Sequence, residues 1–410
     1  MSLLQTDRCF RASGGLKGWI GARLLALAPF FMGLMRRWKP IAGGRKILIV
    51  TRYDDVLEVF ASDHAFAVPY RENLDIITDG QPFFLSMGDT AIYRAQLAAM
   101  RAVCPPEDLP RLGDDAEARA AAIVDAAGGR VELVSLVRRV AFGLLGSYFG
   151  IPEPQGGSLA VWGSRLFEFQ FTGSVKDEAW VADVEAFGRA ARDHIDTAIA
   201  ARKGQAEPPD DVLSRCLARQ AAGEAGYSDV EIRTALLCMI VGGPPQPPMV
   251  LPQAMEQLLR RPEWLVAARA AARGGDDDRL RRIVMEAMRF DPLAPGLKRI
   301  AIADHVLARG MPHSRKVTKG TTLLAAFASA MMDSRRIPEP KRFDPNRQPH
   351  EYVHFGHGLH TCFGLQINHF TLHRMLRPLL LRDDLRRAPG AAGRLRKQGA
   401  FAERLELEFA

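Results

Sequence analysis

Phe355-Gly356-His357-Gly358-Leu359-His360-Thr361-Cys362-Phe363-Gly364 is the stretch on which the reading of this chain turns. It sets one cysteine, Cys362, in a loop punctuated by glycines. The run after it, Leu365 to Leu376, has apolar residues at helical spacing. A thiolate just ahead of a helix start is stabilised by the helix dipole and by free backbone N–H groups. Gly356, Gly358 and Gly364 allow tight turns and close backbone approach to something flat or bulky, which Phe355 and His360 could flank. A soft anionic sulfur held this way suits iron, and a haem iron in particular. An isolated cysteine is more often a small buried hydrophobe, so residue types alone leave both readings open.

The spacing separates them. The ten residues resemble the haem-binding loop of the cytochrome P450 family, Phe-Gly-x-Gly-x-His-x-Cys-x-Gly, at every fixed position. The resemblance implies that Cys362 is the axial iron ligand of haem b, with Phe355, His360 and Gly364 against the cofactor. Two further motifs stand in the family's order. Glu286 and Arg289 lie three apart on one helix, where they could simply pair on its surface. Arg347 closes Phe343-Asp344-Pro345-Asn346-Arg347. The family carries Glu-x-x-Arg and Phe-x-Pro-x-Arg segments whose three charged groups form a buried network under the haem. That implies structural roles for Glu286, Arg289 and Arg347. Arg299 matches a family arginine that reaches a haem propionate, as His360 does. Where the pattern includes a propionate-binding histidine, this chain has Tyr93, next to Arg94; a phenol can still donate. Leu145-Gly146-Ser147-Tyr148-Phe149-Gly150-Ile151-Pro152 and Phe327-Ala328-Ser329-Ala330-Met331-Met332-Asp333 extend the resemblance along the chain.

The central helix departs from the family. It should carry Ala-Gly-x-(Asp or Glu)-Thr, an acid and an alcohol that hold water and pass protons during dioxygen activation. Here the register falls on Val241-Gly242-Gly243-Pro244-Pro245-Gln246-Pro247-Pro248, so proline occupies both the acid position and the alcohol position. Each of these prolines would cost about 3 kcal/mol in an ordinary helix interior. Gly242, Gly243 and Gln246 remain as candidates beside the reacting centre. Gln246, ordered water or a substrate carboxylate could replace the relay; hydrogen peroxide, or rearrangement of an oxidised lipid, would avoid the need for it. Phe83, Phe84 and Phe169, with Val241, Pro244 and Pro245, are the candidate substrate wall, together with Leu85, Phe167 and Phe171. Aromatic residues at such spacings are equally read as core. As a wall they would suit a hydrophobic substrate.

Composition bounds the rest. At 410 residues, 47% hydrophobic and 25% charged, the chain is long enough and ordinary enough for a large globular core. The net charge of +8 gives a basic face that could meet an acidic protein or anionic lipid. Lys and Arg are scattered and no nucleic-acid motif occurs, so a nucleic-acid partner is not expected. Cys9, Cys104, Cys216, Cys238 and Cys362 are odd in number and widely spaced, which argues against a disulfide framework and a zinc site and fits a cytoplasmic protein. Residues 17–39 are largely apolar with basic flanks. Arg23 and Pro29 make them a poor membrane span. A helix covering the core and a helix lying on a membrane surface both fit, the latter through Trp19, Phe30, Phe31 and Trp38.

The expected fold is mainly α with a smaller β-rich part drawn from both the early and the late chain. Strands are expected at Arg45–Thr51, Lys298–Ile302 and Thr321–Ala325, and a long loop over Pro69–Met87. The resemblance implies one P450 domain over residues 1–410, of the soluble bacterial type. In that triangular prism the haem is buried between the central helix and the cysteine loop. It implies oxygen insertion into a small to medium apolar substrate, with a ferredoxin or flavodoxin-type electron donor. A peroxygenase, a haem-dependent isomerase or lyase, and a non-catalytic haem-binding sensor are the alternatives.

Overall fold

The computed structural model describes residues 3–11 and 16–410, with the backbone path alone for 16–26. The described chain divides into two compact units of different make-up.

One unit comprises Met1–Ala12, Tyr70–Ala122 and Ser135–Pro248. Among its described residues it holds helices and no strand. Its centre is the helix Asp229–Gly242, which packs on Leu159–Thr172 and on Glu178–Lys203. A capping box starts it: Ser228 Oγ accepts from the Glu231 N–H, and the Glu231 carboxylate accepts from the Ser228 N–H at 2.9 Å. From Ile232 to Val241 it is apolar nearly all round and buried, as a helix inside a core must be. Gly163 permits the close approach: a Cβ there would meet Ile240 Cγ2 and Phe142 Cε1 at 3.1 Å.

Pro69–Met87 is not one long loop. It contains the helix Arg71–Thr78 and a short turn at Phe84–Ser86. Leu74 and Ile77 are buried, and the helix packs on Glu178–Lys203, where Arg192 donates to the Ile77 carbonyl at 2.5 Å. Two turns of helix give too few apolar repeats to be read as a period; packing stabilises what propensity does not.

The second unit comprises Ser13–Pro69, Ile123–Val134 and Met249–Ala410. Its largest sheet has five strands in the order Ile41–Gly43, Ile47–Val50, Thr322–Ala325, Leu297–Ala301, Phe66–Ala67. Early and late chain meet at Ile47–Val50, which pairs parallel with Thr322–Ala325 from Ile47↔Thr322 to Val50↔Ala325. The expected strand-rich part is therefore built from both ends of the sequence. Leu48, Val50, Phe60, Phe66, Leu323 and Ala325 form its core.

The helix Leu16–Trp38 belongs to this unit. Met32 is buried, and Arg36 donates to Ser329 O at 2.9 Å and Ser329 Oγ at 2.7 Å. Phe30, Phe31, Leu34 and Trp38 are exposed. The side chains of Lys17, Trp19 and Arg23 lie outside the described residues. Among the described residues, no helix is long and apolar enough to cross a membrane.

Candidate haem-thiolate site

Cys362 sits three residues ahead of the helix Leu365–Leu380. The loop before it closes on itself: the Cys362 N–H donates to Phe355 O at 2.8 Å, and the Thr361 N–H to Gly358 O at 3.1 Å. Two glycines are obligatory. Gly356 has φ +79°, and a Cβ there would lie 3.1 Å from His360 O. Gly358 has φ +71°, and a Cβ there would lie 2.9 Å from Phe60 O, because the turn Gly358–His360 rests on the backbone of the helix Tyr53–Ala61. Gly364 adjoins the sulfur; a Cβ there would stand 3.9 Å from Cys362 Sγ, an ordinary contact.

Burial pushes the Cys362 thiol up to about 11, and a hydrogen bond from the Gly364 N–H offsets only part of that. Desolvation outweighs the helix start here, so the free sulfur is a thiol at neutral pH. A metal would have to displace its proton, as thiolate ligands require. Phe355 lies beside His354 and edge-on to His369, with ring centroids 4.7 Å and 5.9 Å away.

Arg299 is carried on the strand Leu297–Ala301 and is 1% exposed, with its guanidinium 5.0 Å from the centre of the Phe60 ring. His360 is near enough to feel it. Burial, then the charge of Arg299, bring the imidazole down to about 4. One fixed cation and one neutral imidazole are thus held near each other in a desolvated place. Their chemical complement is a carboxylate.

Beneath the loop, Glu286 and Arg289 do pair, but inside the protein: both side chains are 0% exposed. Arg289 Nε donates to Glu286 Oε2 at 2.8 Å and Arg289 Nη2 to Oε1 at 2.7 Å. Arg347 Nε reaches Glu286 Oε1 at 3.3 Å. The arginines also donate to the carbonyls of Met331, Pro338, Glu339, Pro340 and Arg342, which pins the winding segment before the loop. Burial lowers the Arg347 guanidinium pKa, but Glu286 and Glu351 outweigh it and hold the group above its usual range. The network is larger than the two motifs. Glu351 accepts from Arg347 Nη1 at 3.0 Å, and the Tyr352 hydroxyl donates to Glu286 Oε2 at 3.2 Å. Glu351 stands four residues after Arg347, a spacing that could have been noticed; nothing local singles out Tyr352.

The other sequence-predicted residues belong to the helical unit. Tyr93 is buried, 5.9 Å from the Phe84 ring edge-on. Arg94 is exposed and bonded to Asp89 at 2.7 Å. Phe83, Phe84 and Phe169 are buried; Phe83 stacks obliquely on Phe84 at 4.4 Å and Phe169 meets Trp180 at 5.7 Å. The register Val241–Pro248 breaks as its prolines dictate. The helix ends at Gly242 and the next, Pro247–Leu259, opens on Pro247 and Pro248. Val241, Pro244 and Pro245 are buried. The Gly243 N–H closes on Met239 O at 3.0 Å, and the Gln246 side-chain amide donates to the Gly242 carbonyl.

Iron in a porphyrin needs one soft axial ligand from the protein and donors for its peripheral carboxylates. Cys362 is a residue type of the first kind and Arg299 and His360 are of the second, the combination that a haem-thiolate protein requires. The cytochrome P450 family model matches residues 181–392, and the chain belongs to that family. It is 29% identical over 245 residues to the steroid C26-monooxygenase of Mycobacterium tuberculosis (strain CDC 1551 / Oshkosh), covering 59% of this chain and 62% of that protein. It is 31% identical over 199 residues to a bifunctional dioxygenase (DOX)-epoxy alcohol synthase (EAS) of Fusarium oxysporum (strain Fo5176), covering 46% of this chain and 15% of that protein. The chain thus spans less than two thirds of the length of either relative. Among solved structures, ligand-free cytochrome P450 TbtJ1 superposes with a TM-score of 0.77 at 22% identity, over 97% of this chain and 100% of that one. The fold is the mainly helical P450 fold with small sheets, and the family's cofactor is haem b.

Proposed function

We propose that this chain, as a single P450 domain over residues 1–410, is a haem-thiolate monooxygenase that inserts one oxygen atom into a small to medium apolar substrate. The observation that carries the reading is the Cys362 loop, whose glycines, thiol and buried supporting network match the needs of the cofactor residue by residue. Bound haem b supplies the activation of the oxidant. The chain's own residues have separate tasks. Cys362 gives up its proton and holds the metal. Arg299 and His360 take the peripheral carboxylates, with Tyr93 and Arg94 as further donors and Phe355 and Gly364 against the ring. Gly242, Gly243 and Gln246 stand beside the reacting centre, and Phe83, Phe84, Phe169, Val241, Pro244 and Pro245 exclude water from an apolar substrate. The similarity to a protein named as a steroid monooxygenase supports an apolar substrate. Electrons come from a ferredoxin or flavodoxin-type donor on a basic face. The protein is cytoplasmic and touches membrane surfaces through residues 17–39, supported by exposed Phe31, Trp38, Arg37 and Lys39; flotation with anionic vesicles tests that contact.

A second reading has an observation of its own. Pro244 and Pro245 can neither hold nor move a proton, and the Gln246 amide is engaged with Gly242. A peroxide or hydroperoxide brings both oxygen and protons, so peroxygenase or isomerase chemistry suits this segment, and similarity to a protein named as an epoxy alcohol synthase agrees. One comparison separates the readings. Turnover that needs dioxygen and an electron donor supports the first, and turnover with peroxide alone supports the second. Absence of product under every oxidant would leave a haem-binding sensor. The red-shifted Soret band of the reduced, carbon monoxide-bound protein tests the ligand beneath all three.

A further inference from the structure

A cavity of about 980 Å³ lies wholly within the strand-containing unit, between the end of the helix Leu16–Trp38, the helix Pro247–Leu259 and the hairpin turn at Gly399. Its volume is at the upper end of the range that small-molecule sites occupy. None of Phe355, His360, Cys362 or Gly364 lines it. The apolar part is made by Met32, Leu34, Pro292, Ala294 and Met332, and Phe30, 65% exposed, stands at its mouth.

Two observations ask for a ligand. The first is Gln253. It lines the cavity at 0% exposure, and both its amide nitrogen and its amide oxygen are buried without a hydrogen-bond partner. Buried amides left unpaired are rare in folded proteins, and a ligand or water normally completes them. The amide therefore calls for a polar occupant.

The second is the charge of the wall. Its cations are Arg36, Arg260, Arg289, Lys341 and Lys397, and its acids are Glu256 and Asp291. Arg260 is paired with Glu256 at 2.6 Å, Lys397 with Asp291 at 2.7 Å, and Arg289 with Glu286 at 2.7 Å. Arg36 donates to the neutral Ser329, and among the described residues no carboxylate makes a salt bridge with Arg36 or Lys341. The lining therefore keeps two positive groups outside any salt bridge: Arg36, with the charge of Asp333 nearby, and the exposed Lys341.

We infer that this cavity is a binding site for a long-chain carboxylate, its chain among Met32, Leu34, Ala294 and Met332 and its head group received by Arg36, Lys341 and the Gln253 amide. The helix carrying Phe30, Met32 and Leu34 forms one wall, so an occupant would also fasten that helix to the rest of the unit. No step of the proposed oxygen insertion depends on the site.

The test uses the haem-loaded full chain and palmitate. Calorimetric titration should give saturable binding that weakens at least tenfold when hexadecanol replaces palmitate, and at least tenfold in an Arg36→Gln/Lys341→Glu double variant. Gln253→Leu should weaken palmitate several-fold while raising the melting temperature of the ligand-free protein, a combination that a structural role for the amide would not produce. A photoreactive diazirine analogue of palmitate should label peptides containing residues 28–36 and 328–332. Labelling confined to peptides with Phe83 or Phe169 would mean that palmitate occupies the proposed substrate wall instead. That result, equal affinity for the alcohol, or unchanged binding in the double variant would each overturn the inference. The carbon monoxide band should be unaltered in all variants, so a failure here is separable from a failure of the haem assignment.

Discussion

The Cys362 loop and the segment Val241–Pro248 carry the two halves of the same family's chemistry, and they differ in what this chain has kept. The loop keeps every fixed residue, and its surroundings are specific: Gly358 leaves room for the Phe60 carbonyl, the Cys362 N–H donates to Phe355 O, and the segment before the loop is tied down by Arg289 and Arg347. The helical segment carries Pro244 and Pro245 where the resemblance calls for an acid and an alcohol, and it still folds. Pro247 and Pro248 fall in the first turn of Pro247–Leu259, where a missing N–H breaks no helical hydrogen bond. The Gln246 amide meets the Gly242 carbonyl that the break leaves exposed. Requirements of backbone geometry and buried charge cannot be relaxed singly, whereas a relay made of two side chains can be removed if the backbone finds new terminations.

The largest effect should come from Cys362→Ser. The thiolate carbon monoxide band should vanish and turnover fall by more than two orders of magnitude; a surviving band would remove the loop from the comparison. Next is Glu286→Gln, which leaves Arg289 and Arg347 buried with one carboxylate fewer. It should cost about 3–5 kcal/mol in urea denaturation and reduce haem incorporation. An effect below 1 kcal/mol would mean that the network is not what fixes the loop.

The double change Pro244→Glu/Pro245→Thr sharpens the other side. If the lost relay limits the rate, donor-driven turnover should rise about tenfold or more, with peroxide-driven turnover unchanged. A rise in both would point to altered substrate binding. Gln246→Ala should lower stability by about 1 kcal/mol through the uncovered Gly242 carbonyl, with little change in the carbon monoxide band.

A pH dependence bears on the loop side of the comparison. Burial brings His354 down to about 3 and His373 down to about 4. The unfolded chain takes up protons on them below about 6.5, and the folded protein does so only near those lower values. Their contribution is therefore complete above that pH and lost progressively as pH falls toward 4 and below. Urea midpoints measured between pH 7 and 4 should decline, and His373→Phe should flatten the curve.

Much of the site was legible because its motifs are local. Ten contiguous residues around Cys362, four around Glu286 and five ending at Arg347 each carry their own spacing. The helix Ala91–Val103 and the break at Pro244–Pro248 were legible for the same reason: proline and apolar period act within a turn or two. The helix Arg71–Thr78 was missed because its two turns acquire their apolar meaning from Glu178–Lys203, more than a hundred residues later. Tyr352 was missed because a phenol announces no partner until Glu286 is brought to it.

The sequence by itself determined that a thiol would be set before a helix on a glycine loop, that charged motifs would accompany it, and that the usual acid and alcohol would be absent. These are properties of residue identity at short range. Only the tertiary structure decided that Glu286, Arg289, Arg347, Glu351 and Tyr352 form one buried network, and that burial, with Arg299 beside it, keeps His360 neutral. It also left Gln253 unpaired in a cavity walled by residues from both ends of the chain. Burial and electrostatic pairing depend on which distant segments exclude water together, and no local pattern encodes that.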